Sequence, residues 1–156
     1  MQIRRILCAV DFSPPSREAL HYASELARQY DAELVLLHVY QVPGYAFPEG
    51  VVLAGPEVVG EFLARIDGLM ASWKEDAVGR GSRRVTTLVR QGVAAAEIVR
   101  VASHYGVDLV VGGTHGHTGL KHALIGSVAG RVVRMSPCPV LTVRASDHQF
   151  EAVRGP

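Results

Sequence analysis

A chain of 156 residues with 16 Lys and Arg against 15 Asp and Glu has no charge excess with which to hold nucleic-acid phosphates. Its hydrophobic residues (48%) and charged residues (20%) exclude a disordered chain, and its length suits one domain whose core needs no disulfide or metal. The amino-terminal apolar run stops at Asp11, too short for a signal peptide or a bilayer span, and no later run is long enough without charges. A cytoplasmic protein without a membrane partner is expected.

Taken in chain order, "IRRILCAVDF" reads as a buried strand ending at Asp11. In "SPPSREALHYASELARQY" Ser13 suits a helix N-cap and Pro14 the first helical position. Ala19, Leu20, Ala23, Leu26, Ala27 and Tyr30 then recur at helical spacing. "AELVLLHVY" is a second strand. Residues 41–56, "QVPGYAFPEGVVLAGP", hold three prolines and three glycines and are too broken for a regular element, as a lid or binding loop would be. The next helix places Val59, Phe62, Leu63, Ile66, Leu69, Met70 and Trp73 on one face and ends at Gly79 or Gly81. "RRVTTLVRQG" is a third strand with the weaker alternation of a sheet edge. "AAAEIVRVASHYG" is a helix closed by Gly106, "VDLVVGG" a fourth strand, "SVAGRVVRMS" a short helix and "CPVLTVR" a fifth strand. Cys8 and Cys138 lie in or beside strand-like runs and are expected as buried thiols, not a disulfide. Residues 1–145 form the expected domain, and residues 146–156 a loose tail.

Continuous apolar strands alternating with amphipathic helices predict a single doubly wound α/β domain. It has a five-stranded parallel sheet, order 3-2-1-4-5, with helices on both faces. Strands 1 and 4 are then neighbours at the switch point, where ligands bind beyond the carboxyl ends of the strands. Asp11 and Gly112–Gly113 stand at those ends.

The stretch "GGTHGHTGLKHALIGS", residues 112–127, follows directly. Gly113 and Gly116 permit close backbone approach to a ligand. Gly126 and Ser127 sit where the amides of a helix N-terminus favour an anion, and the Ser127 hydroxyl could either cap that helix or bond a phosphate. The same residues would also make a tight turn and a cap with no ligand. Asp11 could accept bonds from ribose hydroxyls, help hold a divalent cation, or simply cap the turn that follows. His115, His117 and His122 lack the cysteine partners and rigid geometry of a zinc site, so no metal ligand is assigned; His115 and His117 are candidate phosphate donors. Neither a Walker loop, nor a dinucleotide fingerprint after the first strand, nor a nucleophile elbow is present, and no catalytic residue is assigned.

Three places make the chain resemble the universal stress protein family over roughly residues 2–144. They are "ILCAVDFS", the spacing G-x2-G-x9-G-[ST] at Gly113, Gly116, Gly126 and Ser127, and "SPCPVLTVR". The resemblance implies the family's ATP-binding branch, with ATP alone or accompanied by Mg²⁺ or Mn²⁺. It implies that Ala9, Val10 and Asp11 line the crevice, with Asp11 on the ribose, and that the Val39 backbone meets the adenine. Gly113 would approach the ribose and phosphate, and Gly116, Gly126, Ser127 and Val128 would bind phosphates. His115 stands where the family often carries Arg, and Ala9 where many members have Pro. The resemblance further implies a homodimer through the last strand, Pro139–Val143. The expected function is a nucleotide-dependent regulatory or stress-response module with an unknown protein partner. The alternative is an enzyme, a weak Mg²⁺-dependent ATPase or phosphotransferase.

Overall fold

A computed structural model of the chain describes residues 2–42, 44–114 and 125–144. Five strands form a parallel sheet: β1 (Arg5–Ala9), β2 (Glu33–Tyr40), β5 (Arg84–Gln91), β6 (Leu109–Gly113) and β7 (Val140–Val143). The sheet runs β5-β2-β1-β6-β7. Counted within this sheet, that is the expected order 3-2-1-4-5. Chain numbering shifts because β3 (Gly44–Phe47) and β4 (Gly50–Leu53) intervene. The helices are α1 (Pro14–Tyr30), α2 (Pro56–Gly79), α3 (Ala94–His104) and α4 (Ser127–Met135).

The middles of the central strands are apolar on both sides because both faces are covered, and polar residues such as Arg5, Glu33 and His38 fall toward the strand ends. Ile6, Cys8, Leu34 and Leu36 point toward α1 and α2, joining Leu20, Ala23, Ile66, Met70 and Trp73 in one buried cluster. Leu7, Val35, Leu37 and Val110 point the other way, against Ile98, Val101 and Ala102 of α3 and Val132 of α4. A strand with one polar face could not serve this architecture.

Ser13 caps α1 as expected, accepting the Ser16 amide, and Pro14 opens the helix. Tyr30, expected on the apolar face, is instead 50% exposed, because the helix ends there and Asp31 turns the chain at φ 50°. Gly106, at φ 58°, closes the turn after α3. Both cysteines are free. Cys8 is buried, which pushes its thiol up to about 12, but Cys138 is only half-buried. No helix among the described residues is long and apolar enough to cross a membrane.

The reading of residues 41–56 as irregular needs correction. Its prolines and glycines punctuate a β-hairpin rather than prevent one. Phe47 pairs with Gly50 across a Pro48–Glu49 turn, and Gly44 pairs with Leu53. Gly50 adopts φ 143°, and a Cβ on Gly44 would lie 3.2 Å from the Val52 carbonyl oxygen. Val51, Val52 and Leu53 stay exposed, so the hairpin shows none of the half-buried alternation that marks a strand in sequence.

Adjacent glycines in β6 have opposite surroundings. A Cβ on Gly113 would meet Pro15 Cβ at 2.9 Å, the Pro15 carbonyl carbon at 3.0 Å and the Ser16 nitrogen at 3.1 Å, whereas one on Gly112 would meet no described atom within 4 Å. Two of the three neighbours of Gly113 are backbone and cannot swing aside. Gly113→Ala is therefore expected to destabilise the fold by about 1–3 kcal/mol, as other overpacked sites do. Gly112→Ala is expected to fall within about 0.5 kcal/mol of the parent. Denaturant unfolding of the two variants checks this, and equal stabilities would contradict it.

Candidate functional site

At the carboxyl end of the sheet β1 and β6 lie side by side, and the chain leaves them toward opposite faces. From β1 it enters α1. From β6 it returns to α4, on the other face. The crevice between them is the switch point of the fold. Ala9 registers against Gly112, and Gly112 against Thr142. The small residues Ala9 and Gly112 leave open space on the face that α4 covers, while Gly113 turns toward α1 and is filled by Pro15. Residue spacing assigns the close-approach role to Gly113 and leaves Gly112 to turn geometry. The structure instead places Gly112 within a strand, facing the open space. Spacing alone carries no signal for which way each glycine faces: alternation along β6 sends the two to opposite faces, and both faces are buried, at Val110 and Val111.

Main-chain bonds seat α4 at this crevice. The Thr114 amide donates to the Val143 carbonyl at 2.8 Å, and the Thr114 carbonyl accepts from the Gly126 amide at 2.7 Å. Thr114 is buried and so anchors the start of α4 to the ends of β6 and β7. Gly126 is the N-cap and Ser127 the first helical residue. Two sequence readings are refined by this. The Gly126 amide is engaged with Thr114, and Ser127 lies one position too late to cap. The amides with no intrahelical acceptor are those of Ser127, Val128 and Ala129, at the positive end of the α4 dipole. Ser127 and Val128 are exposed there. Gly126 has φ −69° and ψ 163°, an extended conformation open to any residue.

Asp11 stands at the lip on the β1 side, half-buried. Its Oδ1 accepts the Ser13 amide at 3.0 Å and the Ser13 hydroxyl at 2.5 Å, and its own amide donates to Ser16 Oγ at 3.0 Å. The turn role expected of such an aspartate is therefore present, and it holds the carboxylate beside the first turn of α1. Phe12, next in the chain, adopts φ 65°. A bulky residue rarely takes this conformation. Here its ring stacks on His38 (centroids 4.5 Å) and meets Trp73 edge-on (5.4 Å), and the Arg17 guanidinium lies 4.6 Å from the Trp73 ring.

His38 Nδ1 lies 2.8 Å from the Val10 carbonyl oxygen. A carbonyl only accepts, so Nδ1 carries the proton. Burial holds the imidazole below the usual histidine range, against the opposing pull of the Val10 carbonyl and Asp11. Val39, half-buried, lies near the end of β2, the strand beside β1. Ala9, Val10, Asp11, Val39, Gly113, Gly126, Ser127 and Val128 thus lie at the carboxyl end of one sheet. His115 and Gly116 lie outside the described residues, as do His117 and His122. Among the described residues no group of three or more His, Cys, Asp or Glu is placed to hold a metal ion.

A depression of about 470 Å³ lies at the opposite end of the sheet, lined by Gln2, Arg4, Arg5, Tyr105, Gly106 and Asp108. Most of its polar groups are already engaged with neighbours. Asp108 accepts the Arg4 and Arg5 amides at 2.8 and 3.0 Å, Arg5 pairs with Glu33 at 2.8 Å and with the Tyr105 carbonyl, and Arg4 bonds Gln2. The helix-terminal amides and the open space before Gly112 favour the crevice instead.

Comparison with known proteins agrees with this architecture. The model of the universal stress protein family matches residues 2–144. Universal stress protein YxiE from Bacillus subtilis (strain 168) is 36% identical over 146 residues, spanning 90% of this chain and 98% of that protein. The universal stress protein UspA from Lactobacillus plantarum superposes with a TM-score of 0.78 at 24% identity, covering 92% of this chain and 99% of that one. A universal stress protein in complex with cAMP gives a TM-score of 0.70 at 23% identity, covering 94% of this chain and all of that one (100%). With its sheet, its helices and the spacing of its glycines all falling within the matched residues, the chain belongs to the universal stress protein family.

Proposed function

We propose that the crevice binds ATP, alone or with a divalent cation such as Mg²⁺ or Mn²⁺, and that the protein acts in the cytoplasm as a nucleotide-dependent regulatory module of the stress response. The observation that carries this reading is the Thr114–Gly126 bond, which aims the free amides of α4 back at the end of β6. A helix N-terminus so placed offers an anion both hydrogen bonds and a favourable dipole. The open space before Gly112 leaves room for the rest of the molecule. The cAMP complex of the family relative supports an adenine nucleotide as the ligand class.

In this reading Ser127 and Val128 bind phosphates through their amides, and Gly126 lets them approach. Asp11 meets the ribose, and the Val39 main chain meets the adenine edge. The motif spacing adds His115 and Gly116, outside the described residues, to the phosphate contacts. Val128 is 43% exposed at the same helix end, so a partner protein docking there would sense whether phosphates are bound.

Gly126→Val tests the site cleanly because the backbone at this position does not require glycine. Replacing the N-cap glycine costs about 0.5–1 kcal/mol of stability. The added side chain at the phosphates is expected to lower ATP affinity by more than about tenfold, roughly the worth of one charge-assisted hydrogen bond. Calorimetric titration with ATP and Mg²⁺ reads this, and an unchanged Kd would remove the phosphate site from this helix end.

We further propose a homodimer through Pro139–Val143. β7 is the edge strand beyond β6. Because the Val110 and Thr114 amides donate to the Pro139 and Val143 carbonyls, the odd-numbered residues bond inward, and Val140 and Thr142 present their main chains outward. An edge of this kind pairs with another chain. The protein is expected to sediment as a dimer at micromolar concentration and Thr142→Pro as a folded monomer. A parent protein that sediments as a monomer would overturn the interface.

A further inference from the structure

The β1–β2 ladder stops one rung earlier than its register allows. Odd-numbered residues of β2 bond toward β1: the Glu33 amide donates to the Arg4 carbonyl at 2.8 Å, and the Leu37 carbonyl accepts the Val10 amide at 2.9 Å. Even-numbered residues bond the other way, as when the Tyr40 carbonyl accepts the Gly92 amide at 2.9 Å. The next rung toward β1 would place the Val39 amide on the Val10 carbonyl. Among the described residues no backbone bond closes that rung. The Val10 carbonyl is met instead by His38 Nδ1 at 2.8 Å.

The imidazole is well held for this purpose. Its ring stacks on Phe12, which itself packs against Trp73. The stack also secures the left-handed conformation of Phe12, which carries the chain away from β2 directly after Asp11. A side chain has thus replaced a strand partner at the point where the proposed ligand enters.

We propose that His38 is a positioning residue that sets base specificity: by donating to the Val10 carbonyl it ends the ladder and leaves the Val39 main chain to read the edge of a purine. This inference rests on the nucleotide reading of the crevice. His38 touches neither phosphate nor base in it; it acts through Val10 and Val39. The Val39 amide and carbonyl offer one donor and one acceptor side by side. That pattern complements the ring nitrogen and exocyclic amine of adenine, and it mismatches guanine, whose corresponding edge carries a carbonyl and a protonated nitrogen.

Three proteins test it: the parent, His38→Leu and His38→Asn, the last keeping a donor near the Nδ1 position. Amide hydrogen exchange without nucleotide addresses the ladder. The Val39 amide is expected to exchange at least about tenfold faster than that of Leu37 in the parent and in His38→Asn, and to become protected in His38→Leu as the rung closes. Titration with ATP and GTP addresses specificity. The ATP preference of the parent is expected to fall about tenfold in His38→Leu, the worth of roughly one hydrogen bond, and to survive in His38→Asn. A merely structural histidine would lower stability in both variants and leave the ATP-to-GTP ratio unchanged, and that result overturns the proposal. A Val39 amide as protected in the parent as in His38→Leu overturns it as well. A parent that binds neither nucleotide sinks the crevice reading, whereas one that binds ATP with a ratio indifferent to residue 38 sinks only the role of His38.

Discussion

The approach of α1 to β6 at Gly113 fixes the centre of this molecule. With Pro15 Cβ 2.9 Å from where a Gly113 Cβ would stand, the first turn of α1 rests on the sheet backbone itself. That contact sets the height of α1 above β1 and β6 and buries Ser16 beneath it. The Ser16 hydroxyl then reaches back to the Asp11 amide at 3.0 Å, and the Ser13 cap bonds Asp11 Oδ1. Position at the lip of the crevice is therefore inherited from packing behind it. A helix lifted by one methyl group would move the aspartate as well as the core.

The opposite wall is built without side-chain bulk. Thr114 uses its two main-chain groups to join β7 to the start of α4. Ala9 and Gly112 keep the sheet surface low. One side of the crevice thus carries a carboxylate, Asp11, backed by the packed rings of Phe12 and His38, and the other carries backbone amides. In the reading proposed above, the carboxylate serves the ribose and the amides serve the phosphates, which need several donors.

Much of this fold is legible in the sequence because the burial that drives it leaves a periodic or continuous apolar trace. Apolar strand runs, the Ser13–Pro14 helix start and the glycine after α3 each report a local constraint, and the alternation of strand and helix with right-handed crossovers favours the sheet order observed. The hairpin at 44–53 escapes such a reading because its second strand is exposed and buries no face to generate alternation. Tyr30 keeps the helical spacing, but the buried face ends just before it. The site is legible by position but not by role. That the Gly126 amide is consumed by Thr114, that Ser127 falls one residue past the cap, and that Gly112 rather than Gly113 faces open space all depend on contacts far apart in the chain. No window of sequence holds them.

The two kinds of glycine in the G-x2-G-x9-G-[ST] spacing carry different information. Gly113 is required by α1 whether or not a ligand binds, since its neighbours include backbone atoms of Pro15 and Ser16. Its presence reports the fold. Gly126 has an extended backbone that any residue can adopt and forms its bond to Thr114 through the main chain, which every residue but proline can do. As an N-cap it offers no side chain to the helix, yet glycine is among the residues that position favours, so the cap by itself accounts for it. Gly113 thus reports the seat of α1 and Gly126 the start of α4, and in the reading proposed above the side chain missing from Gly126 leaves the amides of Ser127 and Val128 open to phosphates.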